Sequence, residues 1–413
     1  MPSAPILLDA ANAASSGQRM AHGPRFASLP PLSLYIHIPW CVRKCPYCDF
    51  NSHELRAALP EREYVDALTA DLEQFLPRIW GRPVYTIFFG GGTPSLFSPQ
   101  AIDAVLQAVR ARVRLDAAAE ITLEANPGTA DAGHFEGYRA AGVNRLSIGV
   151  QSFDDANLAA LGRIHDGAQA RQAIELAQRH FANVNIDLMY ALPSQTSANA
   201  LADIETAVAI GPTHLSAYHL TIEPNTLFHR FPPPVPDDDA AAEMQDAIEV
   251  RLAQAGYEHY ETSAFARPGF RCAHNLNYWR FGDYLGIGAG AHSKISFPDR
   301  IVREMKHKHP RQYMAQAAEG AVQEAHEVPA RDLPFEFMMN ALRMTDGFAL
   351  RLYEERTGLP LTPVLSLLDA AERDGLIERD HLALRPSARG RRFLNDLLQR
   401  FLPEVVASDQ GRA

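Results

Sequence analysis

Six short apolar runs recur along the first half of the chain, and each is followed by a polar or glycine-containing loop and then a helical pattern. The runs predict strands at residues 34–38, 86–89, 121–123, 145–150, 184–189 and 215–220. Six consecutive βα units indicate a parallel sheet, and the common handedness of their crossovers curls such a sheet towards a barrel. We therefore predict an α/β fold with a partial (β/α)6 barrel rather than a complete eightfold one.

The pattern changes after the sixth unit. Residues 232–239 are rich in proline and aspartate and predict a surface connection, and residues 240–255 predict a helix. Past residue 329 the order is three helices, a hairpin at 376–384 and another helix, which is typical of a winged-helix-like α+β domain. Its arginines have acidic residues nearby in sequence, so we expect this domain to pack against the barrel rather than to bind DNA.

These patterns give a domain organisation with two tails. Residues 1–31 are rich in Ala, Ser, Gly and Pro and predict a disordered amino-terminal tail without the features of a secretory signal. The barrel is expected at 32–300, a connecting segment at 301–328, the winged-helix-like domain at 329–403 and a second tail at 404–413.

Three of the four cysteines lie within eight residues, as Cys41, Cys45 and Cys48 in the spacing C-x3-C-x2-C. This arrangement is a poor disulfide framework and a good metal site. Three ligands do not complete a tetrahedral zinc site, whereas three on an iron–sulfur cubane leave one iron open to a small molecule. The alternatives are buried free cysteines, or a zinc knuckle completed by His37 or His53.

Unusual residues stand where the predicted strands end. The second strand runs into Gly90-Gly91-Gly92-Thr93-Pro94, whose lack of side chains lets the backbone approach a ligand closely. Three later strands contain or end at the polar residues Glu124, Gln151 and Asp187. Because the loops at the carboxyl ends of parallel strands meet at one face of a barrel, we expect these residues to share a site with the cysteines.

Composition excludes several classes of protein. The formal net charge of −10 argues against a general binder of nucleic acid or of membrane surfaces. No run of 18 apolar residues is present, so the sequence predicts no transmembrane helix. Clustered reduced thiols and the missing secretory signal favour a cytoplasmic location.

Residues 32–400 resemble the oxygen-independent coproporphyrinogen III oxidases and their relatives among the radical S-adenosylmethionine (SAM) proteins. The resemblance rests on Tyr35-Ile-His-Ile-Pro, the cysteine triplet, Gly-Gly-Gly-Thr-Pro, Leu-Glu-Ala-Asn-Pro, Gly-Val-Gln-Ser-Phe and Ile-Asp-Leu-Met-Tyr. It implies a radical SAM barrel with a [4Fe–4S] cluster on Cys41, Cys45 and Cys48. It also implies SAM binding by Tyr35, Tyr47, Gly91, Gly92, Thr93, Glu124, Gln151, Arg163 and Asp187.

Two segments resemble the heme chaperone branch of this family. The oxidases carry a further cysteine where this chain has Phe50, and His274-Asn-Leu-Asn-Tyr-Trp279 is similar to a segment of the chaperones. The branch implies heme as a ligand and an acceptor respiratory hemoprotein as the partner, with His274, Tyr278 and Trp279 as candidate heme contacts. The alternative is a barrel-closing core in which His274 is hydrogen-bonded internally, with Cys272, His307 and His309 as other candidate iron ligands.

The second functional hypothesis is a radical SAM enzyme that oxidatively decarboxylates a porphyrinogen propionate. Phe50 in place of cysteine favours the chaperone, so we do not expect a coproporphyrinogen III dehydrogenase. The resemblance further implies an electron donor of the flavodoxin or ferredoxin type, and at most a peripheral contact with the membrane.

The cysteine triplet generates the first prediction. Cys41→Ala, Cys45→Ala or Cys48→Ala should each abolish the absorption and electron paramagnetic resonance signals of the [4Fe–4S] cluster after anaerobic reconstitution, because these thiolates supply all of its protein ligands. Cys272→Ala is the matched control and should keep both signals. Loss of the cluster in the Cys272 variant alone would contradict the assignment of an open iron.

Overall fold

The computed structural model describes residues 23–129 and 132–403. Its strands, in chain order, are β1 (Leu32–Ile38), β2 (Trp40–Cys41), β3 (His53–Glu54), β4 (Pro83–Gly91), β5 (Arg114–Ala125), β6 (Arg145–Gln151), β7 (Val184–Tyr190), β8 (His214–His219), β9 (Glu258–Glu261), β10 (Ala264–Ala266), β11 (Asp283–Ile287), β12 (His292–Phe297), β13 (Arg300–Lys306), β14 (Val322–Glu327), β15 (Phe348–Ala349), β16 (Ile377–Arg379) and β17 (Ala383–Pro386).

Helices follow most of the parallel strands. They are α1 (Glu61–Ile79), α2 (Pro99–Arg112), α3 (Ala132–Ala141), α4 (Asp155–Ala160), α5 (Gly167–His180), α6 (Ser197–Ile210), α7 (Leu227–Arg230), α8 (Asp238–Gln254), α9 (Ala273–Trp279), α10 (Pro310–Gln316), α11 (Leu333–Ala341), α12 (Arg351–Thr357), α13 (Leu365–Arg373), α14 (Ala388–Arg392) and α15 (Leu394–Gln399). Within the part of the chain described here, no helix combines the length and apolar character needed to cross a membrane.

One twelve-stranded sheet organises the larger part of the molecule, in the order β14-β13-β12-β11-β1-β4-β5-β6-β7-β8-β10-β9. Strands β1, β4, β5, β6, β7 and β8 are neighbours in chain order and pair in parallel, which confirms the six predicted βα units. Strand β11 adds a seventh parallel strand on the other side of β1. Over the described residues the order does not return to its first strand, so the barrel is partial, as predicted.

The parallel strands form where the sequence has nearly continuous apolar runs. In β1 six of the seven residues are buried, because helices cover one face of the sheet and the barrel interior lies on the other. The strand stops at Pro39, which has no N–H to donate to a neighbouring strand. Helix α2 begins as expected, since the Ser98 side chain accepts a hydrogen bond from Ala101 N and Pro99 takes the first helical position.

The stretch 301–328, predicted as a connecting segment, is part of the main sheet. It contributes most of β13, helix α10 and strand β14, and these strands pair antiparallel with their neighbours. Strand β14 is exposed along its whole length, so its sequence lacks the apolar alternation that marks a half-buried strand. Pairing with β13, rather than the local sequence, determines that these residues form a strand.

The carboxyl-terminal domain has the predicted order of elements. Helices α11, α12 and α13 precede the hairpin β16–β17, and β15 completes a small antiparallel sheet in the order β15-β17-β16. Gly375 adopts φ of +68° directly after α13, as expected of a helix C-cap. The domain packs on the barrel through an apolar cluster in which Phe281 contacts Phe337 at 5.9 Å between ring centroids.

The amino-terminal tail of the sequence analysis falls only partly within the described residues. Residues 1–22 lie outside them, as does the predicted tail at 404–413. Arg25 N donates to Gly358 O at 2.8 Å and Phe26 N donates to Pro298 O at 3.1 Å. The residues just before β1 therefore contact both the sheet and the carboxyl-terminal domain.

A buried ion cluster joins β11 to its neighbours. Asp283 is 0% exposed and accepts hydrogen bonds from Lys294 Nζ at 3.1 Å and from Arg82 Nη2 at 2.7 Å. The backbone N–H and the hydroxyl of Ser296 donate to the same carboxylate. The carboxylate is therefore saturated with donors, as a buried charge requires.

Asp283→Asn should lower the free energy of unfolding by about 3–5 kcal/mol, because it leaves the buried Lys294 ammonium without its counter-charge. The matched control is Glu378→Gln in the surface pair with Arg385, whose side chains are 55% and 62% exposed. That change should cost less than about 1 kcal/mol. Urea unfolding measures both values, and equal losses in the two variants would contradict the importance of the buried cluster.

Candidate functional site

Backbone hydrogen bonds hold the two ends of the cysteine loop, residues 39–52, close together. It leaves β1 at Pro39 and returns through β3, and the short strands β2 and β3 pair in parallel. Within the loop, Cys48 N donates to Cys45 O at 3.2 Å, and beyond it Leu55 N donates to Cys41 O at 2.9 Å. These bonds hold the three thiols on one short segment at the carboxyl end of the barrel strands.

Each thiol has at least one polar side chain beside it. Thr93 Oγ1 lies 3.5 Å from Cys41 Sγ, Arg163 Nη1 lies 3.6 Å from Cys45 Sγ, and Ser52 Oγ lies 3.8 Å from Cys48 Sγ. Burial raises the pKa of the Cys41 thiol above its ordinary value. A positive guanidinium and two hydroxyls suit sulfurs that carry negative charge, as they do when bound to iron.

No three His, Cys, Asp or Glu side chains converge on a single ion position in residues 23–129 and 132–403. The zinc-knuckle alternative needs a histidine beside the cysteines, and both ring nitrogens of His37 already have partners in Tyr35 OH and Asn51 O. In an iron–sulfur cubane each cysteine binds a different iron atom, so the three cysteine sulfurs need not converge on one point. The cysteine loop therefore fits the cluster that the resemblance implies.

The glycine turn after β4 packs directly on the cysteine strand. Gly92 N donates to Ile38 O at 2.7 Å and Thr93 N to Trp40 O at 2.8 Å. A Cβ atom on Gly92 would lie 2.5 Å from Trp40 O, so only glycine allows this approach. These two N–H groups already have acceptors within the protein. The carbonyl oxygens of the turn can instead accept hydrogen bonds from a cationic amino group.

Two carboxylates lie inside the mouth of the barrel. Glu124 Oε2 accepts from Gly91 N at 3.2 Å, and Asp187 accepts from Ser147 Oγ at 2.9 Å and Asn185 Nδ2 at 2.8 Å. Burial and the nearby charge of Asp187 raise the pKa of Glu124 from 4.5 to about 8. Burial also raises the pKa of Asp187, while its hydrogen bonds act in the opposite direction.

Gln151 and Arg163 meet above Gly149. A Cβ atom on Gly149 would lie 3.0 Å from Gln151 Nε2 and 3.6 Å from Arg163 Nη2, so the missing side chain makes room for both. Arg163 Nη2 donates to Gly149 O at 2.6 Å. Its Nε is buried without a hydrogen-bond partner among the described residues, which leaves one donor for a ligand.

The two predicted tyrosines have different surroundings. Tyr35 OH lies 3.0 Å from His37 Nδ1, and His37 Nε2 lies 2.9 Å from Asn51 O. Burial lowers the pKa of His37 to about 4, so the ring is neutral at neutral pH and both of its nitrogens are occupied. Tyr47 instead packs its ring against Phe228 at 6.3 Å between centroids, in a small apolar cluster under the cysteine loop.

A cavity of about 800 Å³ opens beside these residues. Its inner wall brings together side chains and backbone from the cysteine loop, the glycine turn and the barrel interior: Tyr35, Cys48, Gly91 and Glu124. A much smaller cleft on the other side of the cysteine loop is lined by Cys45, Thr93 and Arg163. Gly92, Gln151 and Asp187 line neither space.

His274, a predicted heme contact, does not reach the surface of the cavity. It lies in α9 beneath the cavity, is 1% exposed and has Thr86 Oγ1 at 2.8 Å from Nδ1 and Tyr278 OH at 3.2 Å from Nε2. Because the Thr86 hydroxyl donates to Ser33 Oγ, Nδ1 of His274 must be the donor and Nε2 the acceptor. Burial lowers the pKa of His274 to about 3, and neither nitrogen is free for iron.

The aromatic residues of the same segment point in two directions. Tyr278 lines the cavity and meets Tyr284 edge to face at 4.5 Å between ring centroids. Trp279 packs towards the carboxyl-terminal domain, where the Arg343 guanidinium lies 4.4 Å from its ring centroid. Of the three predicted heme contacts, the structure brings only Tyr278 to the cavity.

Comparisons with known proteins agree with this geometry. Residues 35–207 match the model of the radical SAM superfamily, and residues 328–393 match that of the HemN C-terminal domain. A protein from Escherichia coli (strain K12) named heme chaperone HemW is 50% identical over 379 residues, which cover 91% of this chain and 99% of the relative.

The chain belongs to the HemW family of radical SAM proteins. A HemW relative from Haemophilus influenzae is 47% identical over 91% of this chain and 99% of its own length. The solved structure titled "Coproporphyrinogen III oxidase (HemN) from Escherichia coli is a Radical SAM enzyme" matches with a TM-score of 0.77, 25% identity and 90% coverage of both chains. Membership of the HemW family and the radical SAM fold are thereby confirmed.

Sequence reasoning missed several groups on the outer wall of the cavity of this HemW family member. Asn51 Nδ2 donates to Ala289 O and Lys308 O, both at 2.9 Å, and so ties the cysteine loop to the turn after β11. Tyr284, His292 and Lys308 line the same wall. The run Gly286, Gly288 and Gly290 directly before His292 was the available signal, because closely spaced glycines mark close backbone approach.

Glu124 generates a pH-dependence prediction. Its pKa is raised in the folded state, so its contribution to stability is complete below about pH 4.5 and is lost as the pH rises through about 8. Glu124→Gln cannot ionise, so it should not lose this stability as the pH rises. Its Tm should exceed the wild-type Tm, and the difference should grow between pH 5 and 8. Thermal unfolding of the cluster-free protein across this range measures the difference, and a constant difference would contradict a buried, protonated Glu124.

Proposed function

We propose that the protein is a heme chaperone on a radical SAM scaffold, which binds heme and delivers it to acceptor respiratory hemoproteins. The observation that carries the proposal is the cavity of about 800 Å³ beside the cysteine loop. Its size lies in the range of small-molecule and cofactor sites. Its lining combines the aromatic rings of Phe50, Tyr278 and Tyr284 with the ammonium groups of Lys44 and Lys308, which suit a flat apolar macrocycle with two carboxylates.

The resident cofactors of the proposal are a [4Fe–4S] cluster and SAM. Cys41, Cys45 and Cys48 would hold the cluster, and when bound it supplies an open iron for the amino and carboxylate groups of SAM. Arg163 lines the cleft beside Cys45, and its guanidinium, whose Nε has no partner among the described residues, suits a carboxylate. Glu124 supplies acceptor oxygens for hydroxyl groups, and Tyr35 shares the cavity wall with it.

The other predicted SAM residues hold or flank this site. Gly91, Gly92 and Thr93 hold the turn against the cysteine strand, and Gln151 lies beside Arg163. Asp187 is within electrostatic range of Glu124 and raises its pKa. Tyr47 packs under the cysteine loop and fixes its position rather than lining the cavity.

Tyr278 is the heme contact of the proposal within the segment 274–279. Its ring lines the cavity, and its hydroxyl is oriented by His274 Nε2 from below. His274 then acts through Tyr278, and Trp279 anchors α9 to the carboxyl-terminal domain. This division of roles explains why a polar, buried histidine and two aromatic residues occur together on one short helix.

The proposal extends to the location and partners of the protein. We place the protein in the cytoplasm, with peripheral contact to the membrane where it meets an acceptor hemoprotein. An electron donor of the flavodoxin or ferredoxin type would reduce the cluster. The alternative function, oxidative decarboxylation of a porphyrinogen propionate, is disfavoured because the cavity presents Phe50 where the oxidases carry a cysteine.

Heme titration and transfer test the proposal. The full chain, reconstituted anaerobically, should bind about one heme per chain and pass it to a heme-free respiratory hemoprotein, with no decarboxylation of coproporphyrinogen III. Tyr278→Ala removes the ring that lines the cavity, so it should weaken heme binding by several-fold, in line with the roughly 0.5–1.5 kcal/mol of one aromatic contact beyond its buried area. Tyr278→Phe keeps the ring and should bind heme nearly as the wild type does. Turnover of coproporphyrinogen without heme binding would reject the chaperone function.

A further inference from the structure

Heme iron needs a donor atom that is free at the cavity surface, and few groups there qualify. Both ring nitrogens of His37 are occupied by Tyr35 OH and Asn51 O, and His274 lies beneath the surface with both nitrogens occupied. Cys48 belongs to the cysteine loop. His292 lines the cavity, and neither of its ring nitrogens has a hydrogen-bond partner among the described residues.

The position of His292 is set by a rigid turn. Strand β12 begins at His292, directly after a turn in which Ala291 N donates to Gly288 O at 3.0 Å. Gly288 and Gly290 adopt φ of +105° and +78°, which other residues rarely adopt. The next strand holds the turn from the far side, since Lys306 N donates to Ala291 O at 2.9 Å. The turn therefore fixes the backbone position from which the His292 side chain projects.

The charge around His292 favours the neutral imidazole, the form that binds iron. Partial burial lowers the pKa of His292, and the positive charges of Lys308 and Arg303 lower it further, against an opposing effect of Glu324. Lys308 also lines the cavity, next to His292, and Lys44 lines the opposite wall. The ammonium groups of Lys308 and Lys44 in the cavity lining can pair with the two carboxylates of heme.

We propose that His292 is the axial ligand of heme iron, with Lys308 and Lys44 facing the propionates and Phe50 against the macrocycle. The inference rests on the proposed heme-binding function and names the protein's own iron ligand. Phe50 is 63% exposed and lines the same cavity, as expected of a ring that a flat ligand covers. The cysteine loop thus supplies one wall of the heme site and the turn before β12 supplies the other.

Tyr284 is the competing ligand on this wall. Its hydroxyl accepts a hydrogen bond from Arg303 Nη1 at 2.8 Å, so it already has a charged partner. The same guanidinium, however, makes two hydrogen bonds with Glu336, at 3.0 and 2.7 Å, so its charge is already balanced. The free imidazole of His292 therefore binds iron with less rearrangement than Tyr284, whose hydroxyl must first lose its proton.

His292→Ala in the reconstituted full chain tests the assignment. Heme affinity should fall by at least about tenfold, the lower bound for losing even an outer-shell partner of a metal ligand. The Soret band should shift, and added imidazole should restore both affinity and band position. Iron–sulfur content and SAM affinity should not change. His326→Ala, in the exposed strand β14, is the matched control and should bind heme as the wild type does.

The possible outcomes distinguish failure of the proposed chaperone function from failure of the ligand assignment. A wild-type chain that binds no heme rejects the chaperone function and the ligand together. A wild type that binds heme and a His292→Ala variant with the same affinity and spectrum overturn the ligand alone. Loss of binding that imidazole does not restore also overturns it, because the effect is then structural. A shifted Soret band in Tyr284→Phe or His274→Ala, but not in His292→Ala, assigns the iron to that residue.

Discussion

The hydroxyl of Tyr64 joins the two loops between which the cavity opens. It donates to His37 O and accepts from Ala289 N, both at 2.8 Å, at the carboxyl ends of β1 and β11. These strands pair only as far as Ile36 and Ile287, so beyond that point nothing in the sheet sets the distance between them. A buried hydroxyl that donates to one loop and accepts from the other fixes this distance, and the cysteine loop and the turn before β12 take their positions from it.

The cavity has two walls with different chemistry because they come from distant parts of the chain. The inner wall is built from residues 35–124, where cysteines, glycines and a carboxylate of raised pKa suit resident cofactors. The outer wall is built from residues 278–308, where aromatic rings, an imidazole and an ammonium group suit a cargo that must also leave. Because the cysteines lie on the inner wall and His292 lies on the outer wall, heme can leave without displacing a ligand of the cluster, as delivery to an acceptor requires.

The strands of the barrel were predictable because apolar runs covered on both faces are conspicuous in sequence. The predicted strands are shorter than the observed ones. Strand β5 extends over Arg114–Ala125, whereas the apolar run predicted only 121–123. The exposed strand β14 was missed for the same reason, since it depends on pairing with β13. At the site, the cysteines, Tyr35, Gly91 and Glu124 were found from motifs at strand ends, whereas His292 and Lys308 belong to no motif that the sequence analysis used.

The sequence by itself determined the order of βα units, the thiols available to a cluster and the family to which the chain belongs. These properties are local: each depends on residues close together in the chain. Only the tertiary structure decided which side chains face the cavity, because the outcome depends on hydrogen bonds between residues far apart in sequence. His274 shows this most clearly, since Thr86, 188 positions before it, takes its Nδ1 and turns a candidate iron ligand into a buried support for Tyr278.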